Sequence, residues 1–106
     1  MQLLALNSNQ LQGSLPSSLG NCSNLTTLWV DNNAEISGSV PATIHKLQRL
    51  RDLDIAHTNI TRLPEEMLQL ASLENLWVEG APLDAESALL VSELEARGVT
   101  VAGSVA

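Results

Sequence analysis

The stretches LTTLWVDNNAEI (residues 25–36), LRDLDIAHTNI (50–60) and LENLWVEGAPL (73–83) are one pattern written three times. Each opens on leucine and carries an apolar pair separated by one residue: Leu28/Val30, Leu53/Ile55 and Leu76/Val78. Each then closes on a further aliphatic residue, Ile36, Ile60 or Leu83. The opening of the chain, MQLLALNSNQL (1–11), fits the same frame, with Leu4/Leu6 and Leu11 in the matching columns. Successive units are offset by 24, 25 and 23 residues, and the second carries one extra residue near Ala34 and Glu35, read as a small bulge. Self-similarity at such a period is tested before any local propensity, because it changes the whole fold assignment.

The register persists beyond the strand. Leu15, Val40 and Leu63 form a column, each followed by a proline, Pro16, Pro41 and Pro64. Leu19, Ile44 and Met67 form the next, and Cys22, Leu47 and Leu70 another. The spacing Leu-x-x-Leu-x-Leu-x-x-Asn-x-Leu is the signature of a leucine-rich repeat. A unit of this size cannot bury its own apolar edge, so units must stack and their strands align in parallel. The expected architecture is an α/β solenoid with a parallel sheet on its concave face. Repeats span about residues 1–24, 25–49, 50–72 and 73–83, followed by a cap over 84–101 and a tail over 102–106, all in one domain. Asn9 and Asn33 stand where a side-chain amide can satisfy backbone groups of the turn; Thr58 can do part of this, and Ala81 cannot.

The first two units carry LQGSLP (11–16) and ISGSVP (36–41), with SLGNCSNL (18–25) between them. They resemble the plant-type leucine-rich repeats of receptor-like kinase ectodomains, whose units read Leu-x-Gly-x-Ile-Pro. The third unit, ITRLPEEMLQLASL (60–73), has Arg62 where Gly13 and Gly38 stand in the others, and it resembles the typical repeats of intracellular and bacterial proteins. The resemblance implies a domain that binds proteins or peptides on its concave sheet.

The columns fail after Leu83. Asp84 reads as a helix N-cap, Glu86 lies in the first turn, and Arg97 with Gly98 closes the helix. Leu90, Leu94, Val91 and Ala88 make its apolar stripe, and its outer face is acidic. Val99, Thr100 and Val101 are expected to form a fifth strand, 23 residues beyond Leu76, Trp77 and Val78. At the other end the chain opens inside a strand. Either the chain is a piece of a longer solenoid, or this edge is covered by a partner or by a second copy in a homodimer.

Composition narrows the partner. Twelve acids against five Lys and Arg give a formal charge of −7, which argues against nucleic acid and anionic membrane and permits a basic partner. No apolar run reaches the length of a membrane span. The first residues have no basic region and too short an apolar stretch for a signal peptide, so the chain is expected to act where it is made or to have lost a leader. Cys22 forms no internal disulfide and is expected as a buried, inert thiol. His45 and His57 lie in no ligand set or triad, so no metal, no cofactor and no enzymatic activity are expected. Asn21, Asn24 and Asn59 stand in glycosylation sequons, which the repeat's own taste for Asn and Ser/Thr in turns also explains.

The two tryptophans decide the site. The chain has no Phe or Tyr, and Trp29 and Trp77 lie 48 residues apart in the same context. Residues flanking the buried pair alternate to the solvent side of a strand. The first outward column is Leu3, Thr27, Asp52 and Asn75; the middle is Ala5, Trp29, Asp54, Trp77 and Thr100; the third is Asn7, Asp31, Ala56 and Glu79. Lys46, Arg49, Arg51, Arg62 and Arg97 all fall outside them. The candidate partner-binding residues are Trp29, Asp31, Asp52, Asp54, Trp77 and Glu79, suited to a Lys or Arg side chain that stacks on indole and pairs with Asp54. The alternatives are a structural or assembly role within a longer repeat protein, and self-association through the N-terminal strand. Asp52 and Asp54 share a sheet face, but nothing builds a pocket around them for acid–base chemistry.

Overall fold

A computed structural model describes residues 13–103 and, for their backbone alone, residues 3–5. Expectations about Leu6, Asn7, Asn9 and Leu11, and about the side chains of the N-terminal strand and the homodimer edge it was to supply, lie outside the described residues.

Five short strands form a parallel sheet: β1 (Leu3–Ala5), β2 (Thr27–Trp29), β4 (Asp52–Asp54), β6 (Asn75–Trp77) and β7 (Thr100–Ala102). They pair in the order β1-β2-β4-β6-β7. Each of the middle three places one leucine, Leu28, Leu53 or Leu76, inward, and Val30, Ile55 and Val78 follow it into the core; all six are fully buried. The ladder runs past the named strands. Val30 N–H donates to Asp54 O at 2.9 Å, Ile55 N–H to Trp77 O at 3.0 Å, and Asn32 N–H to Ala56 O at 3.0 Å.

The return segments follow from the proline column. Pro16, Pro41 and Pro64 hold φ at −75°, −67° and −77° and each precedes a 3-10 turn, Ser17–Asn21, Ala42–Lys46 and Glu65–Gln69. Proline's fixed φ suits that position, and its missing N–H is no loss there. Leu19, Ile44 and Met67 point from these turns into the core. Cys22 is half-buried and packs against the core edge, less enclosed than expected, while its column-mates Leu47 and Leu70 are buried.

A second sheet, which the repeat pattern alone does not announce, joins β3 (Ser37–Ser39) to β5 (Asn59–Arg62) in parallel on the opposite side of the core. Gly13 bridges Ile36 in the same direction. The departure at Arg62 has a local consequence: Gly38 pairs with Ile60 but Ser39 pairs with Arg62, so the register shifts by one residue. Gly38 adopts φ +78°, a conformation that favours glycine, and the third unit does without it by using one more extended residue. The extra residue at Ala34 and Glu35 is taken up in a turn ahead of Ile36.

Asn33 and Thr58 are both buried. Asn33 Nδ2 donates to Val30 O at 2.9 Å and Asp31 O at 3.2 Å. Thr58 Oγ1 donates to Ile55 O at 2.8 Å and accepts from Ile60 N–H at 3.3 Å. Ala81 offers no such side chain, and its own N–H donates to Val78 O instead.

The helix α1 (Ala85–Ala96) closes the C-terminal end. Asp84 caps it, its carboxylate accepting from Ser87 N–H at 2.8 Å, and Arg97 forms the C-cap. The buried face is Ser87, Leu90, Val91 and Leu94, so Ser87 takes the place expected for Ala88, which is half-buried. The reason is a polar tie: Ser87 Oγ accepts from Leu63 N–H at 2.8 Å, giving a partner to an amide of the third repeat that the helix would otherwise bury alone. The terminal strand starts one residue later than expected, and its pairing register is offset by two. Thr100, Val101 and Ala102 pair with Asn75, Leu76 and Trp77. Val99 is spent on leaving the helix, its N–H donating to Leu94 O at 3.1 Å.

Candidate functional site

The register of the sheet places the outward columns side by side. Thr27, Asp52, Asn75 and Thr100 are paired in one row; Trp29, Asp54, Trp77 and Ala102 form the next. Ala102, not Thr100, therefore stands beside Trp77, because β7 pairs with β6 two residues out of the expected register. Both tryptophans lie in one column with Asp54 on the rung between, and two rungs separate their backbones by about 10 Å. Trp29 is the more open, 37% exposed, while Trp77 is half-buried.

Asp54 is half-buried between them. One carboxylate oxygen accepts from Ala56 N–H at 3.0 Å, which fixes the side chain against its own strand and leaves the other oxygen free of any described protein donor. Burial pushes its carboxyl above the ordinary value; the Ala56 N–H opposes this, Asp31 adds to it, and His57 opposes it weakly.

The third column is less uniform than its spacing suggests. Asp31 is half-buried and accepts from the Asn32 amide at 3.1 Å. Glu79 is exposed, with Gly103 lying close against its backbone. Ala56, expected to face outward, is only 8% exposed: its methyl is too short to rise from the turn whose amide Asp54 holds. Asp52 stands apart from the others. It accepts from Asn75 Nδ2 at 2.7 Å, and Arg51, paired to Glu74 at 2.7 Å, carries positive charge next to it. One cation, Arg51, thus stands beside Glu74 and Asp52 at the N-terminal ends of the strands, whereas Asp31, Asp54 and Glu79, toward the C-terminal ends, have no ion-pair partner among the described residues.

Three further residues shape that rim. Asn32 and His57 hold φ at +58° and +56°, and Gly80 at +76°, at the same place in successive units. A Cβ on Gly80 would lie 2.8 Å from His57 Nδ1, so the glycine is what lets the histidine pack across the rung. Period alone hides this: Asn, His and Gly share no side-chain class, only a tolerance of the left-handed region, greatest in Gly. No group of three or more His, Cys, Asp or Glu side chains able to hold a metal occurs among the described residues. No helix among them is long and apolar enough to cross a membrane.

Comparison with known proteins agrees with this geometry. A family model described as Leucine rich repeat matches residues 23–83, and a second of the same description matches residues 1–22. The chain is 26% identical over 84 residues to the protein flightless-1 homolog of Caenorhabditis elegans, covering 79% of this chain and 7% of that protein. Among solved structures, the plant peptide hormone receptor RGFR1, in complex with RGF2, superposes with a TM-score of 0.81 at 24% identity, covering 99% of this chain and 17% of the receptor chain. A leucine-rich repeat protein of Leptospira interrogans superposes at 0.61 with 18% identity, covering 83% of this chain and 28% of that one. The chain therefore spans less than a third of the length of each of these proteins. With both family matches falling on the stacked units described above, the chain belongs to the leucine-rich repeat family.

Proposed function

We propose that the chain is a protein- or peptide-binding module whose concave sheet receives a basic segment of its partner at Trp29, Asp54 and Trp77, with Asp31 and Glu79 beside them and Asp52 at the margin. One observation carries the reading: two indoles flank a half-buried carboxylate in a single register column, and no Lys or Arg occupies the outward columns. A cation over an indole face gains roughly 0.5–2 kcal/mol. Tryptophan is also the residue type most enriched among interface hot spots. Asp54 supplies the opposite charge, with one oxygen available. That a structural relative was solved with a peptide hormone bound supports the class of partner.

The test compares the intact chain with the Trp29→Ala/Trp77→Ala variant in titrations against arginine-rich and glutamate-rich peptides of equal length. The arginine-rich peptide should bind the intact chain and lose about tenfold or more in the variant, from two indoles at the low end of the cation–π range with their packing. Equal binding of both peptides, or equal binding by both proteins with folding intact, sinks the assignment.

A further inference from the structure

A groove runs between α1 and the third 3-10 turn, and neither tryptophan lines it. Leu63 and Leu90, both buried, form its floor, and Leu68 and Leu89 form its walls. Leu89 is 72% exposed in the middle of the helix. Glu65, Glu86 and Glu93 line the same groove. On α1 the order Glu86, Leu89, Leu90, Glu93 is a spacing of three, four and seven, which brings all four to one side of the helix. Arg97 bounds one end, donating to Leu68 O at 3.3 Å and to Glu93 at 3.3 Å. Glu65 and Glu86 make no ion pair among the described residues.

We propose that this groove is a second docking surface, for a basic amphipathic segment of a partner protein that seats one apolar side chain against Leu89 and Leu68 and sets Lys or Arg over Glu86 and Glu65. Charge complementarity selects the occupant. A second copy packed symmetrically on this groove would bring the unpaired Glu65 and Glu86 against their own counterparts, on a body with formal charge −7. Nucleic acid and anionic lipid meet the same repulsion. An uncharged apolar segment would cover Leu89 but would gain nothing from the glutamates and would strip their water. A basic segment with an apolar anchor satisfies both features of the groove.

The probe is a short helical peptide of lysine and leucine, titrated into the intact isotope-labelled chain and followed by amide NMR. Resonances of Leu68, Glu86, Leu89 and Glu93 should shift together. Leu89→Ser, at an exposed position that leaves the fold intact, should weaken this response about tenfold, the scale of losing one buried leucine contact. The Trp29→Ala/Trp77→Ala variant should bind the probe at the groove as the intact chain does, which separates this site from the concave one. Several outcomes overturn the proposal. A peptide with serine in place of leucine binding equally would reduce the effect to bulk charge. An unchanged response in Leu89→Ser would remove the anchor. Broadening of the same four resonances with protein concentration alone would assign the groove to a second copy.

Discussion

Replacing Asp54 by asparagine should weaken binding of a basic segment and at the same time stabilise the folded chain. Asparagine keeps an oxygen that can accept from Ala56 N–H, now at 3.0 Å from Asp54, so the local backbone contact survives and only the charge is lost. A hydrogen bond to a charged group contributes about 1.5–3 kcal/mol net. At a half-buried site water competes for it, leaving about 1–2 kcal/mol, or a five- to thirtyfold weaker Kd. The opposite sign for stability follows from the raised pKa. As pH rises from below the ordinary carboxylate value, the unfolded chain gives up this proton before the folded chain does. Stability is therefore lost through the window between the ordinary value and the raised one, and the reduced level persists to neutral pH. Asp54→Asn should recover it at neutral pH and show no such gain below the ordinary carboxylate pKa. Binding behaves in reverse: affinity of the native chain should fall on acidification at a higher pH than an ordinary aspartate would set, and the variant should lack that step. Urea unfolding and calorimetric titration with an arginine-rich peptide, each at several pH values, read both effects. A variant that binds as tightly as the native chain at neutral pH, or that is less stable there, refutes the reasoning.

Other perturbations test the frame that holds this column. Ser87→Ala removes the acceptor for Leu63 N–H, and the orphaned buried amide should cost about 1–3 kcal/mol in urea unfolding, with helix content little changed. Gly80→Ala places a methyl 2.8 Å from His57 Nδ1 at φ +76° and should cost about 1–2 kcal/mol, read by thermal melting. Leu53→Ala, at a fully buried position in the middle strand, should cost about 2–5 kcal/mol; against a total of roughly 5–15 kcal/mol for a domain of this size, circular dichroism should show a lowered melting temperature or a chain already unfolded.

What was legible in the sequence was whatever repeats. Leu28, Leu53 and Leu76 recur because each unit must bury one edge against the next, and the same constraint makes the outward neighbours Trp29, Asp54 and Trp77 fall in a line. The misses occur where a unit stops obeying the repeat. Val99 is expected to begin a strand, yet leaving a helix consumes residues that no column counts; the strand begins at Thr100 and its register is displaced by two. Ala88 fits an apolar stripe better than Ser87 does; the hydroxyl is buried because a distant amide, Leu63 N–H, needs it, and no local pattern reports a partner 24 residues away. The pairing of β3 with β5 escaped for a related reason, since it is made by backbone and not by a side-chain class.

Within the sheet, neighbouring residues carry separable duties. Leu28 and Trp29, Leu53 and Asp54, Leu76 and Trp77 are adjacent in the chain, and each leucine is fully buried while its neighbour faces solvent at least in part. A substitution at the inner residue changes stability, and one at the outer residue should change recognition. Asp54 breaks this separation, because the fold holds its ionised form at a cost. A carboxylate that served only to keep the chain soluble would lie at an open position such as that of Glu79, where water screens it without penalty. On the proposed reading, a half-buried acid between two indoles, kept ionised against the preference of its surroundings, would be relieved by a cationic partner, and that relief would add to the partner's affinity.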